Sequence, residues 1–387
     1  MMIKKILGRK NIKVNISIVG GSNSVMRNGY AKYLNAYIKK EISLETSLKY
    51  YSLGGVPNIF ATIQESRYDI GANSDIIFFE CCVNDRHAIE TDHYSLELAE
   101  KALEGFVRKV NKSNPNCLIV ILIFGINLDN FYNTHCYLSE LYQKTGYHYG
   151  LPTINITKLL SNTYNLEYVK SLYNDKDHAH YSRPQGVQIV SQTIVNELKR
   201  LGTINNLQTI KTSLKKKDKQ LKIFPTYRDN LEELAFLESF ENGNYFFKPP
   251  KISVYQNTVF REKNFTIYQG NLLKFLLKGK LMAIFIKSDL NDGFITIEFN
   301  KQRIVTSSYS SWVNNIKPQN VINLITLPWR RFLTSQDFAI ASICLCPEYP
   351  NDFELDFNKA VPTKKDPKKW KLSIIGIAYI GEIKPLN

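Results

Sequence analysis

The chain has no apolar run long enough to cross a membrane. Its longest, Cys117 to Ile126, is about half of what a spanning helix needs. The opening MMIKKILGRK carries positive charges but no sustained apolar segment and no small-residue cleavage site, so a secreted chain is not expected. The six cysteines contain no Cys-x-x-Cys pair; Cys81 and Cys82 are adjacent, and Cys344 and Cys346 are one residue apart. That excludes a sequence-legible disulfide framework or zinc ribbon and points to reduced thiols in a cytoplasmic protein. Gly20-Gly21 lacks the third glycine of a dinucleotide fingerprint, which argues against a Rossmann cofactor site. Acidic residues are also in deficit, with 35 Asp+Glu against 50 Lys+Arg, a net charge of +15.

The basic excess is spread unevenly. Residues 1–50 hold 10 basic and 2 acidic side chains, whereas residues 51–100 hold 2 basic and 9 acidic. The runs at Lys215–Lys219 and Lys364–Lys371 accompany no helix-turn-helix, zinc-finger or RNA-recognition pattern, so sequence-specific nucleic-acid binding is not expected. The long-range field suits an anionic polysaccharide or an anionic membrane face, which would place the chain peripherally at the inner side of the membrane.

Residue distribution divides the chain. All six His precede residue 181, all three Trp follow residue 311, and a polar Lys-rich stretch lies between. These features predict a first domain over 1–202, a linker over 203–222 and a second domain over 223–387. The first alternates strand-like and helix-like segments. Strands are expected at Val14–Val19, Asp75–Cys82, Cys117–Phe124 and Pro152–Ile156. Helices are expected over Met26–Lys40, Tyr94–Val110, Cys136–Thr145 and Pro184–Leu201. For the Tyr94–Val110 helix, Leu96, Leu98, Ala99, Leu103 and Phe106 form the candidate apolar face. Continuous apolar strands alternating with helices predict a parallel sheet covered on both faces. After residue 223 the period changes. Phe294–Phe299, Val321–Leu327, Phe338–Cys346 and Lys371–Ile380 read as strands of an all-β sandwich or jelly roll. Its aromatic residues either fill the core or stack on sugar rings, so the domain is a candidate carbohydrate-binding module.

In doubly wound sheets ligands bind beyond the carboxyl ends of the strands. There the sequence places Gly20-Gly21-Ser22-Asn23-Ser24, Ser52 to Asn58, and Val83-Asn84-Asp85. Asp175 to Ser182 reads as a loop before the last helix. A nucleophilic serine needs a base in hydrogen-bond reach and a group that orients the base. Asp177 and His180, three residues apart, supply such a pair for Ser22. The Ser22 and Gly55 backbone N–H groups and the Asn84 amide are candidate donors for an oxyanion. Competing readings of these residues exist. Asp175-x-Asp177 has the form of a glycosyltransferase metal motif, but it follows a poor strand. Asp177, His178 and His180 lack a second cluster to complete a metal site. Cys81 and Cys82 are expected to be inert packing residues.

The constellation resembles the SGNH (GDSL-like) hydrolases, named for Ser, Gly, Asn and His in four blocks. Ile18 to Ser24 looks like the first block, Gly55 (or Gly54) the second, Cys82-Val83-Asn84-Asp85 the third and Asp177-His178-Ala179-His180 the fourth. The resemblance covers residues 12–201. It implies a flavodoxin-like α/β domain, a Ser22–His180–Asp177 triad, and an oxyanion hole of Ser22, Gly55 and Asn84. It needs no metal and no cofactor. The implied substrates are small acyl esters, often acetyl groups on carbohydrate, here of a bacterial surface glycan. Two alternatives accompany it: an acetyl-CoA-dependent polysaccharide O-acetyltransferase, with acetyl-CoA as acyl donor, and a non-catalytic glycan-binding or assembly module built on a degenerate domain. The chain departs from the pattern in three places. Gly21 stands where the family has Asp, Cys82 where it has Gly, and the interval from His180 to Gly186 is one residue longer than usual. Asp175 with His178 has the same spacing as Asp177 with His180. The latter pair is preferred because Tyr181-Ser182 and a helix start follow it.

Overall fold

The computed structural model describes residues 13–42, 45–91, 94–128, 136–203, 223–241, 244–327, 334–351, 355–356 and 360–386. The Lys-rich stretch 204–222, His93, His135 and Trp329 lie outside the described residues. The chain divides into two compact units: Met1–Arg86 with Glu100–Asn230, and His87–Ala99 with Leu231–Asn387.

The first unit is built on five parallel strands: β1 (Lys13–Gly20), β2 (Glu45–Tyr50), β3 (Ile76–Glu80), β4 (Leu118–Ile123) and β5 (Thr153–Asn155). Their spatial order is β2-β1-β3-β4-β5. The connections are α1 (Ser22–Val25, one turn), α2 (Tyr30–Ile42), α3 (Ile59–Tyr68), α4 (Cys82–Glu90) and α5 (Leu96–Ser113). They continue with α6 (Tyr137–Tyr149), α7 (Ile156–Thr163), α8 (Leu166–Ser171) and α9 (Gln185–Arg200). Strand β3 is buried at every position and β4 at all but its first, which is why both read as continuous apolar runs. The sheet is covered on both faces. Val14, Ile16 and Ile18 join Leu34 and Ile38 of α2 and Val190 and Ile194 of α9 in one core. From the other face Phe79 meets Phe106 of α5 and Tyr142 of α6, with ring centroids 4.9 and 6.1 Å apart. Along α5 the expected apolar face is buried except for Leu96, which is exposed. Among the described residues no helix is long and apolar enough to cross a membrane.

One expectation is overturned here. The segment around Asp177 is a two-stranded hairpin, β6 (Tyr173–Asn174) with β7 (Asp177–Tyr181), rather than a loop. Tyr173 and Tyr181 stack with centroids 4.5 Å apart, and this buried aromatic pair anchors the hairpin.

Beyond residue 230 the second unit is built on strands: β8 (Ala235–Leu237), β9 (Lys251–Gln256), β10 (Arg261–Tyr268), β11 (Leu272–Asp289) and β12 (Phe294–Phe299). They are followed by β13 (Gln302–Ser307), β14 (Asn320–Thr326), β15 (Thr334–Leu345) and β16 (Lys371–Lys384). These nine strands form one curled antiparallel sheet. The 18-residue β11 pairs with β15 along Leu272–Lys280 and with β14 along Ala283–Asp289, so a single strand serves both ends of the sheet. It turns where Gly279 faces Gly381, with φ of +125° and +114°. A Cβ on either glycine would fall 2.1 Å from a carbonyl oxygen of the opposite strand. Only glycine permits that approach.

The curled sheet closes over Phe275, Ile284, Phe294, Ile343, Ile374 and Trp370. Trp370 is fully buried, packs edge-on to Phe294 at 5.6 Å, and donates its indole N–H to the Lys364 carbonyl at 2.6 Å. Trp312 is 56% exposed. The two tryptophans therefore answer differently to truncation. Trp370→Ala should cost about 3–5 kcal/mol and Trp312→Ala less than about 0.5 kcal/mol in denaturant titrations of the full chain. Equal costs would contradict the packing described.

Candidate active site

In the order β2-β1-β3-β4-β5 the chain winds away in opposite directions from β1 and β3, which opens a crevice beyond their carboxyl ends. β1 runs into this crevice at Gly20, and the next two residues carry Ser22 onto the first turn of α1. The Gly21 N–H donates to the Glu80 carbonyl at 2.8 Å, and the Leu53 N–H donates to the Gly20 carbonyl at 3.0 Å. The serine-bearing turn is thus stitched to chain segments on both sides. No side chain fits beneath it. A Cβ on Gly20 would lie 2.2 Å from the Glu80 carbonyl oxygen, and one on Gly21 would lie 2.1 Å from Asn84 Oδ1. The Asn84 amide occupies the space that a side chain at position 21 would need. This is the physical reason that glycine stands there.

The β6–β7 hairpin brings in the other two residues. His180 Nε2 lies 2.6 Å from Ser22 Oγ, and its Nδ1 is hydrogen-bonded to Asp177 Oδ2. Because a carboxylate faces Nδ1, that nitrogen carries the proton, and Nε2 is left to accept from the serine hydroxyl. Asp177 is held in turn by the Ala179 N–H, which donates to Oδ1 at 3.0 Å. The Asn23 side-chain amide donates to the Ala179 carbonyl at 3.0 Å, tying the residue after Ser22 to the residue before His180. The Asn127 N–H donates to the His178 carbonyl at 2.7 Å. Ser22, His180 and Asp177 are therefore brought together, while Asp175 and His178, the alternative pair, are both exposed. Asp177, His178 and His180 do not converge on a common point. Among the described residues no group of three or more His, Cys, Asp or Glu side chains could hold a metal ion.

Asn84 sits in the first turn of α4, almost wholly buried. Its Nδ2 has no hydrogen-bond partner. A buried amide donor without an acceptor costs about 1–3 kcal/mol, and such a group beside a serine–histidine pair is poised for an acceptor that arrives with a ligand. Gly54 packs on Ser22: a Cβ there would stand 3.3 Å from Ser22 Cβ. Gly55 follows with φ of +76°, which turns the chain at an exposed point. Cys81 and Cys82 are buried, and desolvation pushes both thiols well above the ordinary range, so neither is a thiolate. All six cysteines are unpaired.

Two buried carboxyls beneath the site were not singled out from the sequence for any role. Glu80 ends β3, accepts from the Ser24 hydroxyl at 3.0 Å through Oε2, and leaves Oε1 without a partner. Burial pushes its pKa up to about 8. Asp85 accepts from the Asn58 N–H at 2.7 Å and from the Tyr142 hydroxyl at 2.6 Å. Burial raises it to about 7. The apolar run that marks β3 made Glu80 look like a strand end, and Asp85 was legible only as part of the third block. Each ties together segments that carry site residues: Glu80 the turn after β1, and Asp85 the chain entering α3.

No protein-family model and no curated protein matches the sequence. Among solved structures, a two-domain esterase active on acetylated mannans, co-crystallised with mannopentaose, is similar along the whole length. Its identity is 13%, its TM-score 0.65, and the alignment covers 96% of this chain and 92% of that one. A second crystal structure of a two-domain esterase active on acetylated mannans gives 14% identity and a TM-score of 0.61 over 96% and 92%. A lipase/acylhydrolase from Enterococcus faecalis aligns with 49% of this chain and 96% of its own, at 15% identity and a TM-score of 0.38. The whole-length likeness shows a shared fold: a five-stranded parallel α/β domain followed by a curled antiparallel β domain. At the level of fold, the resemblance carried by the four sequence blocks is borne out.

The buried carboxyls make stability depend on pH. For Glu80 and Asp85 the folded pKa lies above the unfolded value of about 4. Their contribution is therefore full below about pH 4 and is lost as pH rises through 7 and 8. In Glu80→Gln the fall in urea midpoint between about pH 5 and about pH 8 should be smaller than in the parent chain. An unchanged fall would contradict the assignment.

Proposed function

We propose that the protein is a serine esterase of SGNH type that removes small acyl groups, acetyl above all, from carbohydrate. The observation that carries this reading is the Ser22–His180–Asp177 chain of hydrogen bonds, with the unpartnered Asn84 amide beside it. The two-domain fold shared with an esterase active on acetylated mannans supports the carbohydrate ester as substrate class.

Ser22 Oγ attacks the acyl carbonyl carbon while His180 Nε2 takes the hydroxyl proton, and Asp177 holds the imidazolium that forms. The carbonyl oxygen becomes an oxyanion, and Asn84 Nδ2 gains the acceptor that it lacks in the free protein. The Ser22 and Gly55 backbone N–H groups complete the donor set. Collapse expels the sugar alkoxide, which leaves with the proton from His180, and the acyl group stays on Ser22. Water, deprotonated by the same imidazole, then attacks the acyl-serine and releases the carboxylic acid. Asn23 acts as a positioning residue, because its amide fixes the distance between the turn that carries Ser22 and the strand that carries His180.

Acetylated manno-oligosaccharides and their deacetylated counterparts test the reading by acetate release. Turnover is expected with the parent chain. Asn84→Ala should lower kcat by about 10²–10³-fold with KM little changed, because the interaction it removes is made only in the transition state. Asp177→Ala should lose activity while its thermal unfolding stays cooperative. Full activity in either variant, or no acetate release by the parent chain from any acetylated glycan, would overturn the proposal.

A further inference from the structure

We propose that the second domain carries a separate binding groove for an acidic glycan, a chain whose sugar units bear carboxylate groups. The ligand class rests on the reading of the protein as one that acts on carbohydrate; the groove is argued from the sheet itself.

The groove has a volume of about 570 Å³ and lies on the face of β11, β12, β13 and β15 turned away from the core. Strand register explains its chemistry. Lys274 of β11 is opposite Ser342 of β15, Ser342 is opposite Glu298 of β12, and Glu298 is opposite Arg303 of β13. Directly opposed residues share a face, so these four form one polar row across four strands. Their chain neighbours Leu273, Phe275, Ile297, Ile304 and Ile343 point the other way, into the core. Along the row polar groups repeat at the strand spacing of about 4.8 Å. Among the described residues no ion pair or side-chain hydrogen bond engages Lys274, Glu298 or Arg303.

The lip of the groove adds a second observation. β12 and β13 are joined by the two-residue turn Asn300-Lys301, with φ of +46° and +64°. Such turns favour glycine at the second position, and a lysine there is held against its backbone preference. Asn300 fixes the turn by donating to the Thr334 carbonyl at 2.9 Å. The result is a third cation lining the groove. Residues held in sparsely populated backbone regions concentrate at binding sites, where the surrounding structure sustains them.

The composition selects a ligand. Lys274, Lys301 and Arg303 against Glu298 give three cations and one carboxylate, a net charge of +2 (3 − 1). Cations at this density attract carboxylates, and arginine binds them through paired N–H groups. Glu298, which sits between Lys274 and Arg303 in the row, has no donor of its own to offer an anion. It repels a densely charged phosphate chain and accepts hydroxyl donors, and Ser342 can donate or accept. Ile340, 49% exposed in the same groove, offers apolar contact to the C–H face of a sugar ring. A ligand that presents carboxylates, vicinal hydroxyls and apolar ring faces together meets all of these groups. A polyphosphate, with neither hydroxyls nor apolar faces, meets only the cations.

Affinity electrophoresis of the full chain in gels containing polygalacturonate, its carboxyl-reduced counterpart or polyphosphate tests the proposal. Retardation by polygalacturonate is expected, with little by the carboxyl-reduced polymer. Lys301→Gly and Arg303→Gln should each weaken retardation about tenfold. Lys301→Gly also suits the backbone of the turn, so loss of binding in that variant is not a folding failure. Glu298→Gln keeps an acceptor and removes a negative charge, so it should strengthen retention by polyphosphate more than retention by polygalacturonate. No retardation by polygalacturonate, equal retardation by the carboxyl-reduced polymer, unchanged behaviour of the variants, or stronger retention of the parent chain by polyphosphate would each overturn the groove. The polymers carry no acyl ester, so failure here leaves the esterase reading standing, and failure of acetate release leaves the groove standing.

Discussion

The hydrogen bond between Ser22 and His180 joins residues 158 positions apart, and the first domain is arranged to hold it. In isolation such a bond contributes on the order of 1 kcal/mol, far too little to bring two distant segments together. The sheet does that work. β1 sets the serine at the crevice where strand order reverses, and the aromatic pair Tyr173–Tyr181 docks the hairpin that presents the histidine. Asn23 then spans the last gap directly, from the serine turn to the backbone beside His180. The imidazole meets a carboxylate on one side and a hydroxyl on the other, which fixes its tautomer.

The same constraint explains the local oddities of the sequence. Two glycines precede Ser22 because β3 and α4 approach so closely that a Cβ at either position would collide with Glu80 or Asn84. Asn84 fills the space and leaves its amide nitrogen without an acceptor. Beneath it Glu80 and Asp85 are buried and biased toward their neutral forms, yet each still bonds to backbone or hydroxyl groups that position the serine turn and the start of α3. Burying polar groups in this way is unfavourable for stability. It places rigid, directed donors and acceptors around the one crevice that the topology leaves open.

The parallel sheet was legible where strands are buried on both faces, as within Asp75–Cys82 and Cys117–Phe124, because continuous burial writes a continuous apolar run. It was not legible at β2, whose residues ETSLKY are partly or wholly exposed, nor in α3, whose buried face includes Thr62, Gln64 and Glu65. In the second domain β11 escaped notice although it is the longest strand. Its Leu- and Lys-rich composition carries little β-propensity, and only its partners on both edges make it a strand. The triad residues were legible because short motifs fix chemistry locally: Asp177 and His180 are three residues apart and bonded to each other. The setting was not. Nothing in Asp175–Ser182 announces a hairpin, since the strand is formed by pairing with Tyr173–Asn174 and by aromatic stacking rather than by alternation. The Lys274–Ser342–Glu298–Arg303 row was invisible for a related reason, since its four members come together only through strand register.

The central claim is that the fold activates one serine among many. Reaction of the native chain with a fluorophosphonate, followed by proteolysis and mass spectrometry, tests it most directly, because the reagent bonds to a serine only when a base removes its proton. The account predicts a single adduct on Ser22, and none in His180→Ala under the same conditions. An adduct on another serine, no adduct at all, or equal labelling of His180→Ala would contradict it.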